Sequence, residues 1–239
     1  MNPITLVMAH YCNQGMLQHQ YKRISELPAE IKGSIYLVLV DDGSPEGKEA
    51  IPPEQDLGIC SLQIYKMLQD IRWNQDACRN IGVRHAETEW VLLADMDHVI
   101  PPETWRVLLG RDWHEDAIYC FRERLKMPNL EPDKPHPNTW FMTRKTYNKF
   151  GGYDERFAGI YGTDGDFKKR ASAVTEIKEI KNAPLVVYPR SVIPDASTTT
   201  YLRKQPEDDV GKRRVKSERE LDEDKSPKNF LFPYKRVYP

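Results

Sequence analysis

The sequence predicts an α/β domain built on an open, largely parallel sheet flanked by helices. Three observations predict it. Short, almost wholly apolar runs alternate with helix-period segments across the first hundred residues, the order expected of a parallel sheet with helical crossovers. The runs are continuous rather than alternating in polarity, as strands buried on both faces are. Three of them end in polar clusters, at His10-Tyr11, Asp41-Asp42 and Asp95 to Asp97, and ligands of open parallel sheets sit outside the carboxyl ends of the strands.

The elements follow in order. Ile4 to Ala9 reads as the first buried strand. Asn13 to Leu27 has helical spacing, with Met16, Tyr21, Ile24 and Leu27 on one face, and Pro28 stops it. Ile35 to Val40 is a second strand, and a connection bearing Pro52, Pro53 and Gly58 leads to a third at Leu62 to Met67. Asn74 to Ala86 reads as a helix that turns Ala77, Cys78 and Ile81 inward, and Trp90 to Ala94 as the fourth strand. Beyond residue 100 the pattern is less regular. Glu103 to Leu109 and Asp164 to Ala173 read as helices, the first opened by Pro101-Pro102. Ala117 to Phe121 and Thr139 to Thr143 read as strands around a proline-rich loop at Pro128 to Pro137, and Leu185 to Tyr188 as the last strand. The expected organisation is one domain over 1–202, in two halves (1–100 and 101–202), followed by a charged extension over 203–239. Within that extension Arg203 to Lys225 reads as an exposed helix or a disordered tail, and the aromatic run Phe230 to Tyr234 docks on a surface, the chain's own or a partner's.

Composition narrows the function classes. The 35 Lys and Arg nearly balance the 36 Asp and Glu, so no global field favours nucleic acid. No apolar run reaches the roughly 20 residues that span a bilayer, and the first apolar stretch, broken by His10, reads as a strand rather than a signal peptide. Cys12, Cys60, Cys78 and Cys120 are scattered without metal-site spacing, which points to free thiols in a cytoplasmic protein.

Three constellations carry candidate chemistry. Asp95-Met96-Asp97 directly follows a buried strand. Residues i and i+2 of a strand share a face, and two carboxylates on one face suit a hard divalent cation such as Mn2+ or Mg2+. A solvated turn is the plain alternative. Asp41-Asp42-Gly43-Ser44 is either a tight turn or a site where one carboxylate accepts hydrogen bonds from a base or ribose. Thr163 to Arg170 opens a helix, so Asp164 and Asp166 are either N-terminal caps or functional acids, with Asp164 as general base and Asp166 as cap or acceptor-orienting group. His98 stands beside Asp97 as a further candidate for metal or diphosphate, and His10 lies at the rim of the expected pocket. His136 and the remaining histidines read as surface residues.

Five blocks in order resemble glycosyltransferase family 2: Val38 to Ser44, Asn74 to Gly82, Leu92 to Asp97, Phe150 to Phe157, and Tyr161 to Phe167. The later blocks are similar to its galactosyltransferase and chondroitin-polymerase-like branch, and the likeness spans about residues 4 to 170. It implies a Rossmann-like GT-A fold with a mixed, mainly parallel sheet, and inversion at the anomeric carbon. It places Ala9 and Tyr11 near the nucleobase, Asp42 on base or ribose, Arg79 and Asn80 beside the donor, Asp95 on the ribose, and Asp97 on the metal. Asp164 matches the acid that serves as base. Thr163 stands where the family usually has glutamate, and no histidine follows His136 to complete a metal site, a place that Asp195 or water would fill.

The expected activity is transfer of a sugar from a nucleotide sugar, with UDP the expected nucleotide, to a glycan or other hydroxyl acceptor. Trp140 and Tyr161 are candidates to stack on a sugar face, with core packing the alternative for Trp140. A homo-oligomer formed through the extension is a possible assembly. The rival activities are sugar-phosphate nucleotidyl transfer and non-catalytic binding of glycan or nucleotide.

Overall fold

The computed structural model describes residues 2–135, 138–197 and 206–239. The boundary expected at 202/203 and His136 lie outside the described residues. The strands are β1 (Ile4–His10), β2 (Ile35–Asp41), β3 (Ser61–Met67), β4 (Trp90–Ala94), β5 (His98–Val99), β6 (Ile118–Phe121), β7 (Arg124–Lys126), β8 (Glu131–Pro132), β9 (Trp140–Thr143), β10 (Ile177–Ile180), β11 (Leu185–Val187) and β12 (Tyr234–Tyr238). The helices are α1 (Gln14–Ser25), α2 (Ala29–Lys32), α3 (Gln75–Arg84), α4 (Pro102–Gly110), α5 (Arg144–Lys149), α6 (Asp164–Val174) and α7 (Pro206–Leu221).

An eight-stranded sheet runs in the order β10-β6-β9-β4-β1-β2-β3-β12. Its centre, β4-β1-β2-β3, is parallel. The apolar runs alternate between two cores, which is why they carry no polar face. On β1, Ile4, Leu6 and Met8 enter one core with α1 residues Met16, Leu17 and Ile24, while Val7 enters a second, opposite core. On β4, Leu92 joins the first core, and Val91 and Leu93 join the second. Strand order reverses between β1 and β4: β2 and β3 extend to one side of β1, and β4 lies on the other. The crevice at such a reversal is where this class of sheet holds ligands. Helix α3 lies against β1 so closely that a Cβ on Gly82 would stand 2.2 Å from Val7 Cγ1.

The second half of the chain continues this sheet. β9 pairs antiparallel with β4, β6 antiparallel with β9, and β10 parallel with β6. A small second sheet, β5-β11-β7-β8, stacks beside the carboxyl end of β4. The strand expected to be last, Leu185 to Tyr188, is β11 of this small sheet, and β12 follows it.

The charged extension is built into the fold. Arg219 of α7 bonds Asp166 (2.6 Å) and Asp154 (3.3 Å), and Arg72 pairs with Asp208 at 3.0 Å. β12 then adds antiparallel to β3, and Phe232 and Tyr234 pack on the cluster of Val38, Val40 and Tyr65. The aromatic run therefore docks on the chain's own surface. Over its described part, Arg203 to Lys225 forms the mostly exposed helix α7 rather than a tail, held to the domain by the ion pairs of Arg219 and Asp208. All four cysteines are free thiols. No helix among the described residues is long and apolar enough to cross a membrane.

Candidate active site

A cleft opens at the strand reversal, over the carboxyl ends of β1, β2 and β4. Its wall includes Ala9, His10 and Tyr11 from the end of β1, Asp42 after β2, Asp95 to Asp97 after β4, and Asp164 from α6. Arg72, Trp73, Gln75, Asn138 and Tyr161 complete much of the rest. Carboxylates more than 120 residues apart in the chain thus share one cavity.

At one end of the cleft the two neighbouring aspartates separate. Asp41 is 1% exposed and accepts the amides of Ser44 and Ala50, both at 2.6 Å. Burial alone would raise its pKa; His10, whose Nδ1 lies 3.4 Å away, and those two amides outweigh burial and hold it below the usual value. Asp41 is therefore the turn residue. Asp42 faces the cleft, accepts the Asn74 amide on Oδ2 at 3.0 Å, and has an Oδ1 that is buried without a hydrogen-bond partner among the described residues. Burial pushes its pKa well above the carboxylate range. Tyr11 stands beside it and donates to Asp70 at 3.1 Å; burial first, then the charge of Asp70, raises the phenol to about 12.

The Asp-Met-Asp turn is held from several sides. Met96 is buried in the first core, so the carboxylates on either side of it turn outward. Gln20 of α1 donates to the carbonyls of Met96 and His98, each at 2.8 Å, and the Tyr188 amide donates to the Asp97 carbonyl at 2.9 Å. Asp95 accepts Arg79 Nη2 at 2.5 Å and Gln75 Nε2 at 2.7 Å on one oxygen. Asp97 Oδ1 lies 2.8 Å from His98 Nδ1. One ligand atom from each of Asp95, Asp97 and His98 lies within 4.8 Å of the others. Two carboxylates and an imidazole suit Mn2+ or Mg2+ in donor chemistry. Asp95 and Asp97 line the cleft, whereas His98 is fully buried behind them.

Asp164 reaches the cleft from the first turn of α6. Burial is the main cause that raises its pKa; the charge of Arg79 and a hydrogen bond from Asn138 oppose it. Tyr161 stands edge-on to Trp73, with centroids 4.7 Å apart. Trp73 has a left-handed φ of 56°, and Arg72 beside it is anchored to Asp208 and to the Gly159 carbonyl at 2.9 Å.

Several expected site residues stand elsewhere. Trp140 is 2% exposed and packs on Phe167 at a centroid distance of 5.6 Å, so it presents no face to a sugar. Asp166 does not reach the cleft; it pairs with Arg170 at 2.8 Å and with Arg219. Asp195 caps α1 instead of meeting the Asp-Met-Asp turn, accepting the Gly15 amide at 2.6 Å and the Met16 amide at 2.9 Å. Arg79 and Asn80 do not line the cleft. Arg79, 1% exposed, stands behind Asp95 and donates to Tyr153 at 2.5 Å. Asn80 is consumed by Tyr147, Tyr153 and Glu155. Its side chain ties α3 to the Gly151-Gly152 turn. Ala9, Tyr11, Asp42, Asp95, Asp97, Tyr161 and Asp164 do line the cleft. Trp73, Arg72, Asn138 and the buried acid Asp76 were not foreseen. Trp73 carried one usable signal, an aromatic residue in a polar loop at a helix entrance; Asp76 looked like an ordinary acid in a first helical turn.

Comparison with known proteins agrees with this geometry. No curated protein matches the sequence. Glycosyl transferase family 2 matches residues 29–168, more than half of the chain. Among solved structures, S. aureus TarS 1-349 in complex with UDP-GlcNAc has a TM-score of 0.62 at 12% identity, over 92% of this chain and 67% of that one. GalNAc-T7 with UDP, GalNAc and Mn2+ has a TM-score of 0.62 at 11% identity, over 90% and 48%. The mannosyltransferase PcManGT from Pyrobaculum calidifontis, with GDP-Man and Mn2+, has a TM-score of 0.58 at 16% identity, over 77% and 56%. The chain thus spans about half to two thirds of these structures, whose likeness is one of fold, the GT-A fold. The matched residues include both the Asp-Met-Asp turn and Asp164, and the chain belongs to glycosyl transferase family 2: it is a glycosyltransferase.

Proposed function

We propose that this glycosyltransferase moves a sugar from a UDP-sugar to a hydroxyl acceptor, with inversion, in a single displacement. The observation that carries the reading is that one cleft is lined by Asp42, Asp97 and Asp164 together. Asp42, with Ala9 and Tyr11, binds the base and ribose end. Its unpartnered Oδ1 accepts a hydrogen bond there, and a desolvated carboxyl makes such a bond strong. Asp95 and Asp97 would hold Mn2+ or Mg2+, with His98 fixing Asp97. Bound there, the cation supplies charge neutralisation for the diphosphate leaving group. Arg79 holds Asp95 and keeps a permanent positive charge behind the two carboxylates.

Asp164 accepts the proton of the acceptor hydroxyl as that oxygen attacks the anomeric carbon. Its raised pKa makes it a better proton acceptor than an ordinary aspartate. General base catalysis contributes about 10²–10⁴-fold, so orientation by the cleft walls carries much of the remainder. Trp73 and Tyr161 form the aromatic wall against which a sugar face lies. The complexes of TarS with UDP-GlcNAc and of GalNAc-T7 with UDP and Mn2+ support the choice of donor and metal. The domain of 1–202 with its two halves is proposed in the same sense, the donor side coming from β1, β2 and β4 and the acceptor side from α6. A cytoplasmic location belongs to the same proposal.

The test is turnover of UDP-hexoses with Mn2+, by wild type, Asp97→Ala and Asp164→Asn. Asp97→Ala is expected to lose metal-dependent donor binding and activity. Asp164→Asn is expected to keep the donor-induced rise in melting temperature while losing at least about 10²-fold in kcat. Full turnover by both variants in the presence of chelator would refute the reading.

A further inference from the structure

Asp76, in the first turn of α3, is 5% exposed and does not line the cleft. Its carboxylate accepts the hydroxyl of Thr163 at 3.0 and 3.2 Å. Thr163 is the residue on which α6 starts: its carbonyl accepts the amides of Asp166 (2.9 Å) and Phe167 (3.5 Å). The next residue, the first of α6, is Asp164. Asp76 therefore reaches across from one helix to fix the turn that presents the base on another. We propose that Asp76 is a positioning residue for Asp164, anchoring the entrance of α6 through Thr163 and setting a second buried carboxyl beside the base. The inference rests on the reading of Asp164 as that base.

The charged and titratable groups around Asp76 explain why the second carboxyl matters. From α3 comes Arg79; from α6 come Asp164 and Arg170; Tyr147 of α5 and Tyr153 face it as buried phenols. Both arginines are committed elsewhere, Arg79 to Asp95 at 2.5 Å and Arg170 to Asp166 at 2.8 Å. Among the described residues neither Asp76 nor Asp164 takes part in an ion pair. Two neighbouring carboxyls without their own cations lose their protons in two coupled steps. Burial, and after it the charge of Asp164, raises Asp76 to about 7. Asp76 keeps its proton until near neutrality, and above that its charge makes Asp164 more ready to take the proton of the acceptor.

The carboxyl signals of 13C-labelled protein, followed against pH, test the coupling without any substrate. The signal absent from Asp76→Asn identifies Asp76. It is expected to titrate near neutrality in wild type and to fall by about one pH unit or more in Asp164→Asn, where its charged neighbour is gone. An Asp76 midpoint in the ordinary carboxylate range, or one unmoved by Asp164→Asn, overturns the proposal. Should Asp76→Asn not fold, Asp164→Asn alone suffices, because it must remove one signal and shift a second. Kinetics add the catalytic arm. The kcat of wild type should show a second rise near neutral pH that Asp76→Asn lacks and Thr163→Val keeps at a lower plateau. If Asp76→Asn and Thr163→Val lower kcat alike with the wild-type pH profile, Asp76 is only structural and the proposal is refuted. Absence of turnover in wild type would fall on the transferase reading instead, while the titration still decides the coupling.

Discussion

Asp41 and Asp42 are adjacent carboxyls whose surroundings pull their proton affinities in opposite directions. For Asp41 the folded pKa is lowered, so its contribution to stability is present above the unfolded value near 3.9 and is lost as pH falls through the folded value. For Asp42 the sign reverses. Burial raises its folded pKa, so ionising it costs stability as pH climbs above the unfolded value toward the folded one. Asp42→Asn should therefore raise the melting temperature of the ligand-free protein at pH 8 more than at pH 5. The same change should weaken UDP binding by roughly 10-fold, the worth of one hydrogen bond to a charged group. Scanning calorimetry at both pH values and UDP titration check the two halves of this expectation. A group that weakens the empty fold and strengthens the complex is a binding group, which the turn chemistry of Asp-Asp-Gly-Ser alone could not distinguish in the sequence.

The central strands and their crossover helices were legible because each apolar run is buried on both faces. Helix α3 came within two residues of its expected ends. What could not be read were elements whose side chains carry no period. β5 and β8 are two residues long, and β12 runs Tyr234-Lys235-Arg236-Val237-Tyr238 with no apolar period and no buried face. At the site, the cleft-lining carboxylates were legible as strand-end or helix-start acids. Asp166 and Asp195 were not separable from them by type, because ion pairing and capping use the same residue as catalysis. Trp140 sits in β9, a strand buried on both faces, so either register would have packed it in a core. Among contacts between elements, that of Gly82 with Val7 is the most sensitive. Gly82→Ala places a methyl where Val7 already stands, and overpacking of this kind costs about 1–3 kcal/mol. Urea denaturation should show that loss. Because α3 also carries Gln75 and Arg79, which hold Asp95, donor affinity should fall with it.

Residues 206–239 close the molecule in two places. β12 covers the edge of β3, which would otherwise expose unpaired amides and carbonyls. α7 reaches the cleft wall through Asp208, which is 1% exposed and grips Arg72 with both oxygens. A surface used in this way is spent within the chain, which leaves less of the extension for an oligomer than its charge suggested. Asp208→Ala should cost roughly 2 kcal/mol, below the range for a fully buried pair because Arg72 is part-exposed. It should also loosen the Arg72-Trp73 wall, so the KM for the sugar-bearing substrates should rise more than kcat falls. Steady-state kinetics beside denaturant curves separate the two effects.

The pairing of β12 with β3 also has a consequence in time. Residues 61–67 and 234–238 are neighbours in the sheet but are made far apart during translation. At about 5–20 residues per second, the ribosome leaves the β3 margin bare for on the order of ten seconds. During that interval the nascent chain offers a sticky ribbon to any passing strand, and a chaperone or speed of synthesis decides whether it waits unharmed.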